Sequence, residues 1–177
     1  MLNLKRSSWV VGALGLAICF AIYKLIAYLY VFGLLTYYKS YMPESFEIER
    51  GVFAGDRIGG FLEGCGVGIF LLSEGTSRDI SEGGIGFLNK SSRTIQSRDR
   101  HYQEWRQTPI APQEYTVFQK VAMPDAGGHV CAEVSESLTK KVLSASRNAG
   151  TFYSGFNKNS ELVVIPSLRL AVFSHDR

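Results

Sequence analysis

The sequence predicts an α+β protein in which an N-terminal transmembrane helix precedes one mostly antiparallel sheet domain with one or two helices. Three observations carry this. Trp9 to Leu35 is 27 residues long, and Lys24 is its sole charged residue. From Glu44 onward, short apolar and β-branched runs alternate with polar residues and are bounded by Gly, Pro, Asn and Ser, as strands are. One segment, 129–150, instead carries apolar residues at helical spacing. Strands on both sides of it, without regular strand–helix alternation, give α+β.

The chain divides into a basic cytoplasmic N-terminus (1–8), a signal-anchor helix (9–35), a juxtamembrane link (36–43) and an extracytoplasmic domain (44–177). As a helix the anchor measures about 40 Å, against about 30 Å of hydrocarbon. The surplus lets Lys24 lie one turn inside the far interface, where its stem snorkels to the headgroups. Tyr28, Tyr30, Tyr37, Tyr38 and Tyr41 follow as an interfacial belt, with Trp9 as the opposite anchor. Ala13, Ala17 and Ala21 recur every four residues, and Lys24 continues the same face. Such a ladder admits a second helix at close range, so these four residues are candidates for pairing in the membrane. The alternative is a helix alone in lipid with a snorkelling lysine.

A cleaved signal peptide shares the basic start at Lys5 and Arg6 and the apolar stretch. The continuation KLIAYLYVF after Tyr23 offers it no small-x-small site. A buried helix of a soluble domain rarely lacks a polar face for so long. Lys5, Arg6 and the terminal amine precede the span, whereas Lys39 is followed by Glu44, Glu47, Glu49 and Arg50. The positive-inside bias puts the N-terminus in the cytoplasm and the body outside.

Within the body, ESFEIERGVF alternates as a half-buried strand. Residues 51–86 hold 11 glycines, and in GCGVGIFLLSEG Gly64, Gly66 and Gly68 fall at period two. One strand face thus begins without side chains, which calls for close backbone approach, a bulge or a sharp coil. GIGFLNK (84–90) reads as a further strand. In 91–107, Ile95, Arg98, Tyr102 and Trp105 share a helical face, giving a short helix. EYTVFQKVA (114–122) alternates as a strand. In 129–150, Cys131, Val134, Leu138, Val142 and Ala145 form the clear helical stripe, with acids early and bases late as the helix dipole favours. FYSGF, the turn NKNS and ELVVIPSLRLAVFSH read as a long terminal hairpin, with Pro166 at a bulge or edge.

The net charge of +3 is unevenly spread. Lys5, Arg6, Lys24 and Lys39 fall in residues 1–39, which hold no acid, so 15 basic residues face 16 acidic ones beyond. A body so close to neutral lacks the cationic footprint of a nucleic-acid binder. GCGVG lacks the third glycine and the following helix of a dinucleotide loop. GxSxG, HExxH and Walker patterns are absent, the cysteines have no metal-ligand spacing, and no cofactor is implied.

The weak catalytic candidates are His101, Cys65 and Cys131. His129 and Cys131 would share a strand face, but Cys131 completes the helical stripe as a buried thiol. His175, near the C-terminus, is expected to fray. In RDRHYQEW and its flanks, Arg98, Arg100, Tyr102, Trp105 and Arg106 interleave basic and aromatic groups suited to an acidic peptide, an anionic glycan or lipid headgroups. The plainer reading is a solvated helix with both aromatics packed inward. Cys65 and Cys131 either stay apart as buried thiols or bridge a loop of about 65 residues, stabilising by up to about 4 kcal/mol. Asn89-Lys90-Ser91 is an acceptor sequon in a host that glycosylates secreted chains.

Two functions fit these residues. One is a membrane-anchored interaction or assembly module whose partners are the bilayer and a transmembrane helix or envelope protein. The other is a membrane-tethered hydrolase or transferase with a dispersed His/Cys site.

Overall fold

The apolar run that opens the chain forms one uninterrupted helix, α1 (Asn3–Lys39). The structure, a computed structural model, describes residues 3–59, 63–91, 93–95, 102, 104–109, 117–122, 131–157 and 159–176. The chain separates into two compact units, Met1–Gly33 and Leu34–Arg177. In the first, α1 exposes Leu14, Leu16, Phe20, Tyr23, Ile26 and Tyr28. From Val11 to Lys39 it is long and apolar enough to cross a membrane, by length and composition, which fits a membrane anchor or a signal sequence.

The second unit is built on six antiparallel strands in the order β1-β2-β6-β5-β4-β3. They are β1 (Ile48–Gly59), β2 (Glu63–Leu72), β3 (Arg106–Gln107), β4 (Phe152–Asn157), β5 (Ser160–Ile165) and β6 (Leu170–Asp176). β6 closes the sheet, pairing β2 on one side and β5 on the other. Because side chains alternate across a strand, the sheet builds a core on each face. Phe70, Leu72, Leu162, Val164, Ala171 and Phe173 point to the first, with Tyr38, Tyr41, Met42, Ile80 and Leu88. Val67, Ile69, Val163, Ile165 and Val172 point to the second, with Phe118, Ala132 and Val142. At one edge, β1 carries register shifts at Glu49 and Val52, a device that discourages pairing between edges.

Residues 36–43, read above as a link, hold the end of α1 and part of the first core. Tyr38 and Met42 are almost wholly buried. Two expected strands are helical. GIGFLNK is the second half of α2 (Glu74–Lys90), which bends at Gly84, where φ is 51°. Ser73 caps this helix by accepting the Thr76 amide at 3.2 Å, and Ile80 and Leu88 are its buried contacts. EYTVFQKVA contributes α3 (Val117–Ala122). Phe118 and Ala122, one turn apart, are buried in the second core, and the Val117 amide donates to Glu161 Oε2 at 2.9 Å. Four helices, counting α1, therefore appear among the described residues, beside a 3-10 turn.

The helix expected in 91–107 is not found among its described residues. Thr94 makes an isolated bridge to Pro43, and Arg106–Gln107 is β3, paired with β4. α4 spans Glu136–Ser146, so Leu138, Val142 and Ala145 are helical, whereas Cys131 and Val134 precede it. The terminal hairpin is a three-stranded meander, because Pro166 opens a 3-10 turn (Pro166–Leu168) rather than sitting at a bulge. Arg169 follows in the left-handed region with φ 56°.

Candidate functional site

The side-chain-free face of β2 is filled from above by α1. A Cβ on Gly68 would lie 2.5 Å from Tyr38 Cβ, and one on Gly66 would lie 2.1 Å from the Tyr38 hydroxyl. Glycine at period two is thus the condition for Tyr38 to lie flat on the sheet. Leu35 lies against Gly51 of β1 in the same manner. From this position the Tyr38 hydroxyl reaches His175 Nε2 at 3.3 Å. Gly66 is paired with His175 on one side and Asp56 on the other, so Asp56, Tyr38 and His175 meet around one glycine.

Aromatic rings surround the cluster. Tyr41 stacks on Phe173 at 4.6 Å, the Tyr37 and Tyr41 hydroxyls lie 2.9 Å apart, and Tyr102 donates its hydroxyl to the Tyr41 carbonyl at 2.7 Å. Burial, and secondarily the nearby Tyr41, push the Tyr102 phenol well above its ordinary range. His175 does not fray, since β6 lies inside the sheet and holds it half-buried. Period-two glycines were the sequence signal for this cluster; nothing local marked His175 or Asp56.

Cys65 and Cys131 form a disulfide, with Cα atoms 5.7 Å apart. It ties β2 to the segment before α4, so the reading of two buried thiols, and with it their candidacy as nucleophiles, is corrected. His101, Arg98, Arg100 and His129 lie outside the described residues. Tyr102 and Trp105 are each 4 % exposed, with ring centroids 5.5 Å apart. They belong to the first core and present no face to a ligand, while Arg106 is exposed. Ala13, Ala17 and Ala21 are exposed along α1, and Lys24 Nζ stands 5.4 Å from the Phe20 ring centroid, a cation–π distance.

Two further clusters lie elsewhere in the second unit. Arg169 donates from Nε and Nη2 to the Leu72 carbonyl at 3.0 and 2.8 Å, and it pairs with Glu49 and Glu74. It thereby joins the turn before β6 to β1, β2 and α2. A surface recess of about 420 Å³ lies along α4 and the 3-10 turn, lined by Lys140, Lys141, Ser144, Asn148, Thr151 and Ser167 among others. Among the described residues no histidine, cysteine or carboxylate lines it, and no three His, Cys, Asp or Glu side chains converge as a metal site would require. We find no match to the chain among protein-family models, curated proteins or solved structures.

Proposed function

We propose that the chain is a membrane-anchored interaction or assembly module. α1 spans the bilayer with its N-terminus cytoplasmic, and the sheet body engages an envelope protein or the transmembrane helix of one. The observation that carries this reading is the Cys65–Cys131 bridge. Disulfides persist in oxidising compartments and are rare in the reducing cytosol, which supports a body outside the cytoplasm. The charge bias around the span supports the same orientation. Lipid also gives the exposed apolar residues of α1 a solvent; in water they would form a patch far larger than soluble monomers carry.

The hydrolase or transferase alternative loses both thiols to the bridge, leaving His101 as its candidate. The Asp56–Tyr38–His175 cluster offers that alternative no accessible nucleophile, because Tyr38, in the last turn of α1, is buried against β2. A partner that is nucleic acid is disfavoured by the near-neutral body.

Two measurements on the full chain test the proposal. Protease added to sealed, right-side-out vesicles should degrade the body and spare the span; a protected body overturns the orientation. Crosslinking and pull-down from the native membrane should recover a stoichiometric partner, and Lys24→Leu should weaken its recovery if α1 makes the contact. Recovery of the bait alone from wild-type membranes overturns the module.

A further inference from the structure

We propose that the recess between α4 and the 3-10 turn is where the body takes its partner, and that it receives a protein segment carrying a carboxylate beside an aliphatic side chain. The inference rests on the module reading above and names the surface and chemistry that reading would use. The charge lining the recess is of one sign. Lys140 and Lys141 stand on its α4 side, and among the described residues no carboxylate lines it. Lys140 is paired with Glu136 one turn earlier, whereas among the described residues no carboxylate pairs with Lys141. Arg147, the residue that ends α4, is a third cation on the same helix.

The carbonyls at the end of α4, which would otherwise repel an anion, are spent on the chain itself. The Ser144 carbonyl accepts Asn148 Nδ2 at 2.7 Å and the Arg147 amide at 3.2 Å. The Ala145 carbonyl accepts the Asn148 amide at 3.1 Å. Ser144 from α4 and Ser167 from the 3-10 turn line opposite walls, and each hydroxyl is a further donor for a carboxylate.

The rest of the lining is apolar. Leu168, 37 % exposed, lines the recess with Ala145 and Ala149. A small anion alone would leave these three in water, whereas an aliphatic side chain next to the carboxylate covers them. The volume of about 420 Å³ lies in the range of clefts that hold small ligands. Both walls are fixed before anything binds. α4 is held by its buried residues Thr139, Val142 and Ser146. The 3-10 turn is held by buried Pro166 and by the Arg169 fork on the Leu72 carbonyl. The buried Thr151, between them, donates its amide to Thr108 Oγ1 at 3.2 Å. A preformed site loses little conformational entropy on docking.

The test is amide chemical-shift titration of the isotope-labelled full chain in detergent micelles. N-acetyl-Leu-Asp-amide, which carries one carboxylate beside a leucine, should shift the amides of Ser144, Asn148 and Ser167 and saturate in the millimolar range. The neutral N-acetyl-Leu-Asn-amide should bind about threefold or more weakly, as should the Asp peptide to the double variant Lys140→Gln, Lys141→Gln. Leu168→Ser should weaken it too, through lost apolar cover, with the rest of the spectrum unchanged. Absence of shifts, equal affinity for the two peptides, or unchanged affinity in either variant overturns the proposal. Acetate or inorganic phosphate giving the same shifts at the same concentrations marks an adventitious ion only, and overturns it as well. The partner is tested separately, by zero-length carbodiimide crosslinking in native membranes, which should join a partner carboxylate to Lys140 or Lys141. A partner recovered but joined elsewhere sinks the recess and leaves the module standing. Recovery of the bait alone sinks the module, whatever the peptides do.

Discussion

Tyr38 Cβ lies 2.5 Å from where a methyl group on Gly68 would stand, and its Cγ lies at 2.7 Å. Neither atom is the free end of a flexible chain, so an added methyl cannot be absorbed by a rotamer change. Gly68→Ala should destabilise the body by about 1–3 kcal/mol through overpacking. Tyr38→Ala should cost more, about 3–5 kcal/mol, by emptying a buried aromatic site. Combining the two should cost less than their sum, because the Cγ contact is gone and the Cβ that Tyr38→Ala retains can move into the emptied ring site. Denaturant unfolding of the four proteins measures this; strict additivity would falsify the contact.

The Cys65–Cys131 bridge closes a loop with a sequence separation of 66, worth about 4 kcal/mol on chain-entropy grounds. Replacing both cysteines by serine should lower the melting temperature by on the order of 10 °C. Reductant should lower that of wild type similarly and leave the double variant unmoved. Equal melting temperatures for wild type with and without reductant would show that the bridge does not constrain the fold.

Arg169 combines three contacts of unequal worth. Its bonds to the Leu72 carbonyl are charge-assisted and part-buried, whereas the Glu74 side chain is 87 % exposed. Arg169→Ala is therefore expected to cost about 1.5–3 kcal/mol, and Glu74→Gln no more than about 0.5 kcal/mol, as for other exposed pairs. Arg169→Lys should recover little, since an ammonium cannot reproduce the two-nitrogen fork on one carbonyl. If chemical denaturation ranks Glu74→Gln beside Arg169→Ala, the ion pair rather than the carbonyl clamp holds this corner.

Tyr102 sets the alkaline limit. Its buried phenol is held neutral well above the ordinary value near 10.0, while in the unfolded chain it ionises at that value. The stability this confers is complete below pH 10 and is lost as pH rises beyond it. Tyr102→Phe should lower stability at neutral pH by about 1 kcal/mol, through the lost bond to the Tyr41 carbonyl. It should also flatten the decline between pH 10 and 12. Fluorescence-monitored alkaline titration tests both effects, and an unchanged decline would assign alkaline unfolding to other groups.

Much of this arrangement is legible in the chain. The length of α1, the antiparallel sheet, the α4 stripe from Leu138 onward and the bare face of β2 all follow from periodicity. The misreadings have local causes. In GIGFLNK the glycines mask a helix whose start is signalled eleven residues earlier by the cap at Ser73. EYTVFQKVA is rich in β-formers, yet Val117–Ala122 turns helical because Glu161, distant in sequence, satisfies its first amide and the second core takes Phe118 and Ala122. Val134 and Cys131 fall at helical intervals from Leu138, which runs the stripe past the true start of α4 and favours a buried thiol over the bridge that forms. The meeting of Asp56, Tyr38 and His175 depends on strand order, which alternation alone does not encode.

β6 holds the two halves of the sheet together, and its residues are the last of the sheet to leave the ribosome. Until Asp176 has been synthesised, β2 has no neighbour on its inner side and the β4–β5 ladder has none on its outer one. α1, by contrast, precedes every strand in the chain and is synthesised before any of them. The two halves of the sheet therefore stay unjoined until β6 is made, and the flanks of β2 and β5 are open to pairing with other chains in the interval. A stop codon that removes even half of β6 should leave a chain whose sheet cannot join and which is degraded.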